Sequence, residues 1–169
     1  MIFRLPSFLN VVIDIIAWFF IHVSVSLSID TISPNAFNPE SWLYRECKWE
    51  RDGRIYQYLL KIKTWKGRLP DGAALTKKSF RKKHLGNPNT TYIQRFIEET
   101  CRAELIHWVI FICSPLFFFW NEWWIGMIMI VYGFIVNIPC IITQRYNRIR
   151  LKGIYIALLK GEKQNENTC

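Results

Sequence analysis

Three histidines in 169 residues, no CxxC pair and an odd count of five cysteines leave little material for a metal site or a disulfide framework. Cys113 and Cys140 lie inside apolar runs, which reads as reduced thiols packed as small hydrophobes. Acidic residues are scarce as well: 13 Asp and Glu stand against 22 Lys and Arg, for a formal net charge of +9. Internal repeats are absent, and low complexity is confined to the polar end "GEKQNENTC". What the chain does have is apolar: 51% hydrophobic residues, 16% of the chain aromatic. A basic charge on so apolar a chain fits neither a soluble enzyme nor a disordered basic tail. It fits a small membrane protein lying against an anionic surface. The same charge excludes nucleic acid as the partner, because it is spread along the flanks of apolar runs that membrane phosphates explain better.

Three runs carry the apolar residues: Phe8 to Ile29, Leu105 to Trp120 and Trp123 to Thr143. About 20 helical residues cross a hydrocarbon core. The first and third are long enough, and the second becomes so if its helix starts near Cys101. Only Asn121 and Glu122 separate the second from the third, which predicts a tight helical hairpin with Trp120, Trp123 and Trp124 as an interfacial belt. The predicted fold is therefore all-α, a single membrane domain. Its parts are an N-terminal span (1–30), an interfacial segment (31–104), a hairpin (105–143) and a basic C-terminal tail (144–169). Of the 22 Lys and Arg, 15 lie between the first two runs, 6 follow the third and only Arg4 precedes the first. The positive-inside rule then predicts a multi-pass cell-membrane protein with its basic segments and C-terminus in the cytoplasm. A cleaved signal peptide is the alternative for the first run; Asp14, His22 and its length argue against it.

Between the first two runs, "RIYQYLLKIKTW" places Ile55, Tyr58, Leu59, Ile62 and Trp65 on one helical face, the pattern of a helix in the headgroup plane. "LTKKSFRKKHLG" is a basic stretch closed by Gly86 and Pro88. A new helix is expected to start at an Asn89 or Thr90 cap and run unbroken to Pro115. Ile93, Phe96, Ile97 and Cys101 give it an apolar stripe, and Glu98 and Arg102 form an i,i+4 pair.

Near the membrane mouth that helix carries Glu104 and His107, three residues apart and so on one face. With the turn at 121 and 122, Asn137 falls at the depth of His107. Polar groups at that depth are costly in lipid and mark functional sites. Arg145, Asn147, Arg148 and Arg150 follow the third run at the level of Arg95 to Arg102. A carboxylate beside an imidazole fixes its tautomer and raises its basicity, and arginines suit phosphates or carboxylates. Acyl transfer from a thioester to a lipid hydroxyl needs both.

Each element also has a plainer reading. His107 could bond a backbone carbonyl, Glu104 could pair with Arg145 or Arg148, the arginines could follow the positive-inside rule, and Asn137 could be helix glue. The ExxH spacing of di-iron bundles needs a second such motif, which is absent, so no metal is expected. The place of His22, deep in the first run, is open, and His84 reads as solvated.

"RAELIHW" (Arg102 to Trp108) and "QRYNR" (Gln144 to Arg148) resemble the glycosyl-diaponeurosporenoate acyltransferases of carotenoid biosynthesis. "WK" with "LPDG" (Trp65, Lys66, Leu69 to Gly72), "HL" (His84, Leu85) and "NIP" (Asn137 to Pro139) extend the resemblance over about Trp49 to Glu162. The resemblance implies transfer of a fatty acyl group to the C6 hydroxyl of glucose on a glycosylated carotenoid acid, as in staphyloxanthin-type pigments. The donor substrate is expected to be an acyl-coenzyme A or an acyl carrier protein thioester, with no other cofactor. Chemical role then assigns His107 as general base, Glu104 as its orienting group and Asn137 as an oxyanion donor. Arg102, Arg145, Asn147 and Arg148 are expected to bind the anionic substrate groups, with Lys66, Asp71 and His84 shaping the sugar or donor site. Another glycolipid acceptor, or a non-enzymatic subunit docking a pathway partner, is the alternative.

Overall fold

The computed structural model describes residues 7–69 and 89–166, so the expectations for Asp71 and His84 fall outside the described residues. It is all-α, with no strand among the described residues. The helices are α1 (Ser7–Asp30), α2 (Arg54–Leu60), α3 (Ile62–Trp65), α4 (Thr90–Ile112) and α5 (Trp123–Glu166). Three of them, α1, α4 with the turn after it, and α5, are long and apolar enough to cross a membrane. Only 17%, 28% and 22% of their most apolar windows are buried within the protein, which leaves most of each surface to face lipid. This is a membrane protein.

Two compact units divide the chain, and α4 and α5 contribute to both. The first unit holds the chain up to Ser33 with Arg102–Ile141; the second holds Pro34–Cys101 with the chain from Ile142 onward.

In the first unit, Trp18, Ile110 and Phe117 form the core, with Ile21, Val25, Ile106 and Met129 packed around them. Trp18, Ile21 and Val25 follow the spacing of one helical face, so one stripe of α1 faces inward. Phe8, Ile15, Phe19 and Leu27 stay exposed. Polar contacts secure this stripe at both ends. Asp14 is buried, and its Oδ1 accepts hydrogen bonds from Trp120 Nε1 at 2.8 Å and Asn121 Nδ2 at 2.7 Å. Asp30 pairs with Arg102 at 2.9 Å. Arg102 thus reaches another helix, and Glu98 accepts from Gln94 at 3.3 Å. Trp120 likewise turns inward to Asp14, so of the expected belt only Trp123 and Trp124 are outward-facing.

The hairpin turn is a 3-10 segment, Ser114–Phe119, with Pro115 at its start. Pro115 suits the first turn of such a helix because its missing N–H has no partner there anyway. At the far side of the turn a Cβ on Gly126 would stand 2.4 Å from the Phe118 ring. The helix then runs on through Pro139, which forfeits one i→i−4 bond, and past Thr143 to Glu166. The basic segment read as a tail is helical over most of its length.

In the second unit, Asn89 Oδ1 accepts from the Tyr92 N–H at 2.8 Å and caps α4, as its sequence position predicts. The stripe of Ile93, Ile97 and Cys101 is buried, with Ile93 and Ile97 packing on Leu151. The single headgroup-plane helix expected over 54–65 is instead broken at Lys61, whose φ of 46° is left-handed. The break divides the anticipated apolar face: Ile62 is fully buried beside Tyr56 and Tyr146, whereas Tyr58 and Leu59 are 84% and 65% exposed. Just before α2, Arg51, Asp52 and Gly53 are all left-handed. Glu46 Oε1 holds the Asp52 N–H at 2.8 Å within that turn.

Gly126→Ala is expected to force the Phe118 ring out of place and destabilise the hairpin by about 1–3 kcal/mol, the usual cost of overpacking. Thermal unfolding of the variant in detergent measures it, and an unchanged midpoint would show that the ring has room to move.

Candidate active site

His107 sits on α4 and Asn137 on α5, at the depth the antiparallel hairpin predicts. His107 Nδ1 lies 3.0 Å from Asn137 Oδ1, and Asn137 Nδ2 donates to the Gly133 carbonyl at 2.9 Å. That second bond decides the first. With its nitrogen committed to a carbonyl, the amide turns its oxygen toward the ring, so His107 Nδ1 must carry the proton. The Nε2 lone pair is then left as the basic position. Asn137 is fully buried and locks this tautomer.

Glu104 is also fully buried, but its described hydrogen bond comes from Trp108 Nε1 at 3.3 Å, one helical turn along α4. Sharing a helix face with His107 does not bring the carboxylate to Nδ1, because that nitrogen points across to α5. The sequence reading gave orientation of the ring to Glu104; in the described contacts Asn137 holds it. Arg102 lies five residues before His107, in its ion pair with Asp30. These four residues belong to the first unit.

Lys66, Arg145, Asn147 and Arg148 belong to the second unit, where they hold much of the irregular chain in place. Arg145, Arg148 and Lys152 are spaced i, i+3 and i+7 and line one face of α5. Arg145 donates to the carbonyls of Leu43 at 2.9 Å and Arg45 at 3.1 Å. Arg148 Nε donates to the Tyr44 carbonyl at 3.2 Å, and its guanidinium lies 5.5 Å from the Tyr44 ring centre. Lys152 reaches the Pro39 carbonyl at 3.3 Å and Glu40 at 2.5 Å. Beyond the loop's own turn hydrogen bonds, the carbonyls of Pro39, Leu43, Tyr44 and Arg45 are satisfied by three cations of one helix. Lys66 Nζ donates to Asn147 Oδ1 at 3.1 Å and stands 5.0 Å from the Tyr146 ring centre, bringing two of the predicted site residues together.

Glu50 is the centre of this network and was not singled out from sequence. It is fully buried and accepts from Arg145 Nε at 3.0 Å, Arg145 Nη2 at 2.9 Å and the Cys47 N–H at 2.5 Å. The Tyr56 hydroxyl donates to it as well. Burial alone would push its pKa up, but these donors together hold the carboxyl below its ordinary value. Burial and the neighbouring carboxylate push the Tyr56 phenol up. The sequence signal for Glu50 was slight, one acid among many charges in "RECKWERDGR". Its partner lies 95 residues away.

Among the described residues no group of three or more His, Cys, Asp or Glu is placed to hold a metal ion. An all-α membrane protein with a tautomer-locked imidazole between two of its long helices is of the class that can do base-assisted chemistry within a bilayer. The sequence pattern of the glycosyl-4,4'-diaponeurosporenoate acyltransferases matches residues 39–156, and the chain belongs to that family. It is an acyltransferase. Relatives of that name include the protein of Staphylococcus aureus strain Newman, 32% identical over 88% of this chain and 90% of the relative. Those of strains N315 and bovine RF122 / ET3-1 are 31% and 30% identical over the same shares. No solved structure matches the chain.

The lowered pKa of Glu50 has a direct consequence for acid stability. Its contribution is fully present above the ordinary value of 4.5 and is lost as the pH falls below it through the depressed folded-state value. Glu50→Gln is expected to lower the unfolding midpoint at pH 7, where removing one partner of a buried pair costs about 3–5 kcal/mol. The gap between wild type and variant should close as the pH falls below 4.5. A gap that stays constant from pH 7 to pH 3 would contradict the assignment.

Proposed function

We propose that the chain transfers a fatty acyl group from a thioester donor to the C6 hydroxyl of the glucose on a glycosylated carotenoid acid, with His107 as general base. The observation that carries the reading is the tautomer lock between His107, Asn137 and the Gly133 carbonyl. His107 Nε2 takes the proton of the sugar hydroxyl as its oxygen attacks the thioester carbonyl. The new C–O bond forms, the C–S bond breaks, and the imidazolium returns the proton to the departing thiolate. The hydrogen bond from Nδ1 to Asn137 steadies the imidazolium between the two proton transfers. Transfer is direct, because among the described residues the hydrogen-bond partner of His107 is Asn137 and not a serine or cysteine that would form an acyl-enzyme.

The names of the relatives support the carotenoid acceptor. The distribution of positive charge supports a cell-membrane setting with the basic segments and C-terminus in the cytoplasm, where coenzyme A and carrier-protein thioesters are found. Asn137 acts here as the orienting group. Arg145 and Arg148 already hold the carbonyls of the 43–45 loop, so the mechanism uses neither of them.

Mass spectrometry of lipids from cells that make the glycosylated carotenoid acid and express this chain should show the acceptor with a fatty acyl increment. His107→Ala should lower the yield on the order of 10²–10⁴-fold, the range for loss of a general base, with the protein still in the membrane. An undiminished increment in the variant would remove His107 from the base role. An increment on a different glycolipid alone would keep the enzyme and change its acceptor.

A further inference from the structure

His22 lies in α1, one helical turn from the core residue Trp18, and the reaction proposed above leaves it unused. Its Nδ1 is 2.8 Å from the Trp18 carbonyl oxygen. A carbonyl only accepts, so Nδ1 carries the proton and Nε2 offers a lone pair. His22 and His107 are thus two imidazoles fixed in the same tautomer, each with Nδ1 tied back to the protein and each with Nε2 as an acceptor.

Their supports converge on one turn of α5. Gly133 provides the carbonyl that orients Asn137, and Asn137 holds His107. A Cβ on the same Gly133 would stand 3.2 Å from Trp18 Cη2, so the indole rests directly against that glycine. Trp18 is fixed there by Phe117, stacked at 4.8 Å, by Tyr132 at 5.3 Å, and by its Nε1 bond to Met129 Sδ at 3.4 Å. The His22 ring leans on the indole with 5.5 Å between centres. The flanking residues agree: Ile21 and Val25 of α1 and Ile106 and Ile110 of α4 belong to one cluster, which brackets both histidines.

Two imidazoles that each present Nε2 as an acceptor select a ligand with two O–H donors. The reacting end of an acyl thioester has none, whereas a sugar presents several on neighbouring carbons. We propose that His22 forms a second hydroxyl subsite beside His107, one that accepts a hydrogen bond from a neighbouring hydroxyl of the acceptor sugar and so decides which hydroxyl is acylated. This rests on the acyltransferase reading above.

The test uses membranes containing the full-length chain, with the glucosyl ester of the carotenoid acid as acceptor and a long-chain acyl-coenzyme A as donor. KM is measured for each substrate, and NMR of the product locates the ester. His22→Phe keeps a flat ring and removes the acceptor; His22→Gln restores an acceptor in Oε1. His22→Leu gives the same reading as the Phe variant where a second aromatic ring disturbs packing. His22→Phe should raise KM for the glycosylated acceptor by about tenfold, the weight of one hydrogen bond. It should leave KM for the donor unchanged, and the ester should be spread over more than one hydroxyl. His22→Gln should return most of the product to a single position. A purely structural histidine would alter yield and both KM values together, and that result would overturn the subsite. One regioisomer with unchanged KM in both the Phe and Leu variants would also overturn it and leave the enzyme standing. Absence of transfer by the wild type from both a long-chain acyl-coenzyme A and an acyl carrier protein thioester would overturn the proposed function, and the subsite with it.

Discussion

The bond between Arg145 and Glu50 is the contact on which the second unit depends. A carboxylate shut away from water is tolerable only where donors surround it. Here a guanidinium supplies two hydrogen bonds, a backbone N–H a third and a phenol a fourth. Once fixed, the same guanidinium has geometry left for the carbonyls of Leu43 and Arg45, and Arg148 and Lys152 on its helix face extend the row. A stretch rich in proline and 3-10 turns therefore takes a defined path without a ladder of its own. Lysine at 145 could not reproduce this, since it lacks the planar fork that meets a carboxylate and two carbonyls together.

The same requirement organises the first unit in a drier setting. Most of its surface faces lipid, so inward polar groups look for partners within the protein. Asp14 meets the hairpin turn, Asp30 meets Arg102, and Asn137 divides its amide between a carbonyl and an imidazole. The last of these fixes a proton as well as a helix. An amide in this place brings no charge of its own, where a paired carboxylate would favour the charged form of the imidazole.

The motifs most conspicuous in the chain turn out to do different work. "RAELIHW" contributes an imidazole held by Asn137, an ion pair to α1 and a buried carboxylate bonded to an indole. "QRYNR" ties a loop to α5 through Arg145 and Arg148, and supplies the tyrosine face and the amide that meet Lys66. The family match over residues 39–156 runs through both, but an arginine can serve the fold as readily as a phosphate.

The sequence by itself determined the number of long apolar helices, the tight turn near Asn121, the Asn89 cap and the level at which His107 meets Asn137. Each of these follows from composition or helical periodicity, which are local quantities. Glu50 as the partner of Arg145, Asn137 rather than Glu104 at the imidazole, Trp120 turned inward and the break at Lys61 were decided only by tertiary structure. So was the place of His22, whose depth in the span was legible but whose neighbours were not. The reason is the same in each case. Spacing along a helix says which residues share a face, whereas the partner of a buried polar atom is chosen by whichever distant segment can reach it, and that competition is settled only when the helices pack.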